Sequence, residues 1–167
     1  MPGDVAAKSV RFAQISAAMR AANTGASRYN DSARRFSLEI PRGWTQNKLL
    51  PAFSASGGCL ALSSRSQRAS FNVSAGPLER PELRRKEHRA IELRRTLAQY
   101  ADIEVLDNTE FADESNVVIA SWGERDGSRS GLTTAVHNDL EYVIEYKRDE
   151  QDKYEIDHLL FSFCFLE

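Results

Sequence analysis

Cysteine is scarce in this chain: among 167 residues there are only Cys59 and Cys164, and they form no C-x-x-C pair. A structural metal knot is therefore not expected. The two thiols read as small buried hydrophobes, and their spacing leaves a disulfide open. Histidine is nearly as rare, and His88, His137 and His158 stand at no ligand spacing. Neither a metal nor a cofactor is called for. No apolar run approaches the ~18 residues of a membrane-spanning helix, so integral membrane insertion is not expected. A net charge of −2 supplies no global attraction to nucleic acid or to an anionic membrane.

Catalytic signatures are missing as well. No Gly-x-Ser-x-Gly elbow occurs, and Ser54, Ser56, Gly57 and Gly58 read as a flexible loop. The acids Asp149, Glu150, Asp152, Glu155 and Asp157 lack the alternation and central glycine of a calcium loop. They stand where a helix N-terminus favours negative charge. No catalytic residue is assigned, and the chain is read as a non-enzyme.

What remains is an ordinary globular composition, 41% hydrophobic and 28% charged. A chain of this length forms one domain that buries roughly 70% of its unfolded surface. Residues 1–33 differ from the rest. Between Val5 and Asn30 there is no acid, while Lys8, Arg11, Arg20 and Arg28 are basic. Val5, Phe12, Ile15, Met19 and Ala22 share one face of a helical wheel. A docked extension, a targeting segment and a binding helix all fit this pattern. A continuous apolar h-region is lacking, so a cytoplasmic location is expected over secretion, with organelle targeting left open. Ser27 to Ala33 read as a linker to the domain spanning residues 34–167.

The signals then become regular. Phe36, Leu38 and Ile40 alternate with polar residues as in a half-buried strand, which Pro41 and Gly43 stop. Trp44 is expected to fold back as a plug. Leu60 to Leu62 and Ser70 to Ala75 are further strands. Pro81 opens a helix to about Tyr100, with Leu83, Ala90, Ile91, Leu97, Ala98 and Ala101 inward. Ile103 to Leu106 and Glu110 to Ala112 are short extended pieces. Asn116 to Arg125, Ser130 to His137 and Glu141 to Lys147 form a meander, with Asp126-Gly127 as the first turn. A last helix starts near Asp152 and buries Ile156, Leu159, Leu160 and Phe163. The order predicts an α+β domain, an antiparallel sheet flanked by helices.

Two features are candidates for binding. Arg80, Arg84, Arg85, Lys86, Arg89, Arg94 and Arg95 crowd the middle helix, with Glu82, Glu87 and Glu92 interleaved. A solvated, internally paired surface accounts for most of them, and Arg84, Arg85 and Arg89 are the candidates for docking an acidic partner. Nucleic acid is not expected there, since the helix lacks exposed aromatics for base stacking. Trp122, Tyr142, Ile144 and Tyr146 read as core of the meander, or as an apolar groove if the sheet face is incompletely covered.

The element order, together with Phe36-Ser-Leu-Glu-Ile-Pro-Arg-Gly-Trp44 and Leu160-Phe-Ser-Phe163, resembles the PsbP-like superfamily. That group includes the extrinsic PsbP subunit of photosystem II, a Ran-binding import factor and bacterial DcrB-type proteins. The resemblance spans residues 34–167 and rests on structural residues. It implies an α/β/α sandwich that works by contacting macromolecules. The expectation is a protein-binding or assembly module of unknown partner, with Arg84, Arg85, Arg89, Trp44, Trp122, Tyr142 and Tyr146 as candidate contacts. A homodimer is left open. The alternatives are a chaperone for a secreted protein or a carrier of a small ligand or lipid, held between sheet and helices near Trp44 and Trp122.

Overall fold

The computed structural model describes residues 26–100, 102–106 and 117–167. The basic N-terminal segment before residue 26 and the expected extended piece at Glu110 to Ala112 lie outside the described residues. Two antiparallel sheets make up the framework. The small one has the order β1-β2-β10, from Ser27–Asp31, Phe36–Ile40 and Cys164–Phe165. The large one has the order β3-β4-β5-β9-β8-β7-β6. Its strands are β3 (Thr45–Gln46), β4 (Gly58–Ser63), β5 (Ser70–Pro77), β6 (Glu104–Leu106), β7 (Val117–Gly123), β8 (Arg129–His137) and β9 (Leu140–Arg148). Among the described residues three α-helices join them: α1 (Pro51–Ala55), α2 (Lys86–Thr96) and α3 (Lys153–Ser162).

Strand alternation gives the large sheet two unlike faces. On the inner face, Phe71, Val73 and Ala75 of β5 pair with Tyr146, Ile144 and Tyr142 of β9. Leu60 and Leu62 of β4 join them. The small sheet and α3 close this face with Phe36, Leu38, Ile156, Leu159, Leu160 and Phe163. Burying each such side chain contributes about 1.5–3 kcal/mol, so this cluster is the main source of stability. The stripe expected of the last helix is the one observed, and His158 is buried with it. The outer face carries a smaller cluster, in which Ala90 and Leu93 of α2 and Leu97 just after it pack on Val118 and Ala120 of β7.

Several elements differ from the sequence-based expectation. Ser27–Asp31, read as linker, is strand β1, paired with β2 along its whole length. The loop after Leu49 contains α1, started by Pro51 at its first position. The helix expected from Pro81 is a 3-10 turn over Pro81–Arg84, then Arg85 in extended geometry (φ −84°, ψ 123°), then α2. That break resets the helical phase. Leu83, Ala90 and Leu97 are buried as expected, but Ile91 is 54% exposed and Leu93 takes the inward place. The β8–β9 turn has Asn138 and Asp139 both at positive φ, 47° and 64°, as a two-residue hairpin of the twisted type requires.

Candidate docking face

β9 lies in the middle of the large sheet and faces both ways. Tyr142, Ile144 and Tyr146 point into the inner core, so Glu141, Val143, Glu145 and Lys147 project from the outer face. In register beside them stand Gly76, Ser74, Asn72 and Ser70 of β5. On the other side are Val136, Thr134, Leu132 and Ser130 of β8. Helix α2 covers only the β6–β7–β8 end of this face, because its apolar stripe is short. The β9–β5 strip beside it carries small, polar and acidic residues, and at its far edge Phe53 of α1 lies against Gly58 of β4.

A trough follows that strip. A hollow of about 540 Å³ lies between Glu79, Glu141, Ser74 and Val143. It continues through a narrower one of about 180 Å³ past Val143, Thr134 and Leu132. The third, of about 420 Å³, runs from Leu132 past Glu145 to Tyr100 and Trp122. Tyr100 and Trp122 stack at 5.0 Å with their planes 21° apart and form the far wall. The Trp122 indole N–H donates to Glu124 Oε1 at 3.1 Å, which fixes the ring.

The charges are uneven. Among the described residues Glu141 and Glu145 close no ion pair, although the Arg89 and Arg80 charges act on Glu141, and Lys147 on the rim is engaged. Arg80 pairs with Glu92, whose carboxyl is held below its ordinary range by that hydrogen bond. Lys147 Nζ meets Asp126 at 2.9 Å, and the Ser128 hydroxyl together with this lysine pushes the Asp126 pKa far down. Thr134 Oγ1 is buried at the trough and meets no hydrogen-bond acceptor or donor among the described residues.

The residues singled out in the sequence are scattered. Arg84 and Arg85 are exposed, and Arg84 is ion-paired with Asp139. Arg89, expected beside them on the surface, is instead buried, and its Nη1 donates to the Leu83 and Arg84 carbonyls, the latter at 3.2 Å. Burial lowers its pKa, and the Glu141 and Glu87 charges oppose that effect. Its role is internal, because the 3-10 turn presents carbonyls that need a donor. Tyr142 and Tyr146 belong to the inner core, and Tyr146 also borders the hollow beside Trp122 at Gly131. The Tyr142 hydroxyl donates to the Arg34 carbonyl at 2.5 Å, and burial pushes both tyrosines up to about 12.

Trp44 packs, half-buried, against the inner cluster, and Trp122 belongs to the outer one. The two indoles lie on opposite sides of the sheet, so no pocket forms between them. The trough's own residues, Glu141, Val143 and Glu145, had a signal in the sequence: they alternate with the three inner side chains of β9. That alternation says which residues face outward, but not that α2 stops short of them.

Nothing reactive converges among the described residues. The Cys59 thiol donates to the Val73 carbonyl at 3.3 Å, and burial pushes it up to about 11, which leaves it protonated and inert. His158 Nε2 faces Glu39 Oε2 at 2.9 Å. The nearby Ser162 hydroxyl is occupied, accepting the Glu39 N–H and donating to the Leu159 carbonyl. Among the described residues no three His, Cys, Asp or Glu side chains gather as a metal site would require, and no helix is long and apolar enough to cross a membrane.

No family model matches the sequence, and no curated protein matches it. Solved structures do. The cyanobacterial PsbP protein CyanoP of Synechocystis sp. PCC 6803 is similar over 84% of this chain and 92% of its own, with 16% identity and a TM-score of 0.56. The Ran-binding protein Mog1p of Saccharomyces cerevisiae is similar over 86% of this chain and 96% of its own, at 9% identity and a TM-score of 0.53. A protein of Bacteroides thetaiotaomicron VPI-5482 aligns over 84% of this chain at 13% identity and a TM-score of 0.51, and this chain spans 48% of that one. The chain therefore has the PsbP-like fold that its sequence resembled, an α+β arrangement of antiparallel sheets flanked by helices.

Proposed function

We propose that the protein is a non-catalytic binding module that holds another protein in the trough beside α2. The observation that carries this reading is the part-covered outer face, where the exposed Glu145 carboxylate closes no ion pair among the described residues. A face open to water with unsatisfied charge complementarity is a docking surface in waiting. The fold supports the same reading, since one structure that shares it is that of a Ran-binding protein. The exposed Arg84 and Arg85 stand at one end of α2 and are proposed as peripheral contacts.

A photo-crosslinking residue placed at Asn72, on the β5 wall, tests the proposal in the full chain in its native host. One protein should be captured there and not from the same residue placed at Ser32, which is exposed in the turn after β1. Equal capture from both positions, or none from Asn72, would overturn the assignment.

A further inference from the structure

We infer that the occupant of the trough is an amphipathic helix with a lysine- or arginine-rich face. This rests on the docking role proposed above and adds the chemistry of the partner. From β7 under α2 to β4 under α1 there are four strand spacings of about 4.8 Å, about 19 Å in all, and a helix with its side chains is about 10–12 Å across. The strip therefore holds one helix. Lying alongside α2 at about 8–10 Å, that helix would complete the layer that α2 only begins. The floor from Glu141 to Lys147 is about 20 Å long, enough for a helix of about 13 residues.

The charges select which helix. Glu141 and Glu145 project from one strand, four residues apart, with no ion pair to a described residue, and Glu79 stands at the entrance. Arg80 and Lys147 are bound to Glu92 and Asp126, and the Arg89 and Arg80 charges act on Glu141, so among the described residues Glu145 and Glu79 carry the open negative charge. An acidic occupant would be repelled and an apolar one would strand the carboxylates away from water.

Val143 and Leu132 supply only a narrow apolar ridge between these acids, so the partner needs a correspondingly narrow apolar stripe. Tyr100, 39% exposed and stacked on Trp122, offers a ring face at the end of the path for a cationic side chain. The buried Thr134 hydroxyl can bond a polar group of the occupant beside that ridge.

Fluorescence anisotropy with the full chain tests the inference. The probe is a labelled helical peptide of about 13 residues built from lysine, leucine and alanine. Its control has glutamate at every lysine position. The lysine peptide should bind and the glutamate peptide should not. Glu141→Lys with Glu145→Lys should weaken binding by about tenfold or more. Glu145 is exposed, so Glu145→Gln keeps the test valid if the double variant fails to fold, and it alone should cost several-fold. Raising the salt to about 1 M, where the Debye length is about 3 Å, should weaken binding as well.

Equal binding of the two peptides, or binding indifferent to both variants, would overturn the inference. So would self-association of the full chain that Glu145→Lys abolishes, which would give the trough to a second copy. If the lysine peptide fails while Asn72 still captures a single protein, the basic-helix chemistry falls and the docking role stands. If that capture fails too, both fall.

Discussion

Phe36 and Phe163 stack with their rings 5.1 Å apart and 13° from parallel, joining strand β2 to the residue that ends α3. Tyr142 of β9 meets both edge-on, at 6.2 Å and 5.9 Å. The three rings therefore tie the small sheet, the last helix and the large sheet into one body. Phe36→Ala should cost about 3–5 kcal/mol, read from urea unfolding. Combining it with Phe163→Ala should give less than the sum of the single losses, with a coupling of about 0.5–1.5 kcal/mol. Strict additivity would mean that the rings act independently.

Gly131 carries a second, sharper constraint. A Cβ there would come within 2.0 Å of the Tyr146 ring, which lies over the glycine on the inner face. Tyr146 is itself buried and cannot swing into solvent. Gly131→Ala should therefore destabilise the protein by about 1–3 kcal/mol. The same change in a Tyr146→Leu background should cost less, because the shorter side chain leaves room. An equal cost in both backgrounds, measured by thermal melts, would place the conflict elsewhere.

These contacts also show what the sequence could and could not disclose. Phe36, Leu38, Phe71, Val73 and the α3 stripe were legible because each follows the period of its own element and has no competing local signal. Strand β1 was not, since Ser27, Arg28 and Asn30 are exposed and only Tyr29 and Asp31 lean inward. Its inward positions are a tyrosine and an aspartate, so the alternation carries little hydrophobic signal. The phase of α2 was lost at one residue: an extended Arg85 separates the 3-10 turn from the helix, so extrapolation from Leu83 placed Ile91 inward. The trough was illegible for a different reason. It exists because α2 packs over only one side of the sheet face, which is a relation between elements far apart in the chain.

Glu155 makes stability depend on pH. Burial, with the neighbouring Asp152, raises its pKa from 4.5 to about 7. The buried Trp44 Nε1 lies near enough to favour the charged form, though it falls short of hydrogen-bond geometry. The folded state thus holds a proton that the unfolded state releases between about pH 4.5 and pH 7, and stability falls as pH rises through that window. Glu155→Gln should match the parent near the acid end and exceed it above neutrality, as read from urea midpoints. Trp44→Phe should extend the falling window upward, because it removes the group that supports the carboxylate. A parent and a Glu155→Gln variant with parallel profiles would show that this carboxyl titrates normally.

Arg89 separates an internal cation from the exposed ones around it. Its guanidinium is buried and donates to the carbonyls of Leu83 and Arg84, closing the 3-10 turn from below. Arg89→Met keeps the aliphatic stem but leaves both carbonyls without that donor, each at a cost of about 1–3 kcal/mol. Arg89→Glu adds a buried like charge near Glu141 and should prevent folding. Arg84→Glu with Arg85→Glu lies at the surface, where even the Arg84–Asp139 pair is worth only about 0–1 kcal/mol. Reversing all three arginines together would therefore confuse loss of binding with loss of fold. The Arg84 and Arg85 reversal alone tests the peripheral contact. Urea titrations should rank Arg89→Met well below that double variant, and comparable midpoints would mean that the 3-10 turn stands without its guanidinium.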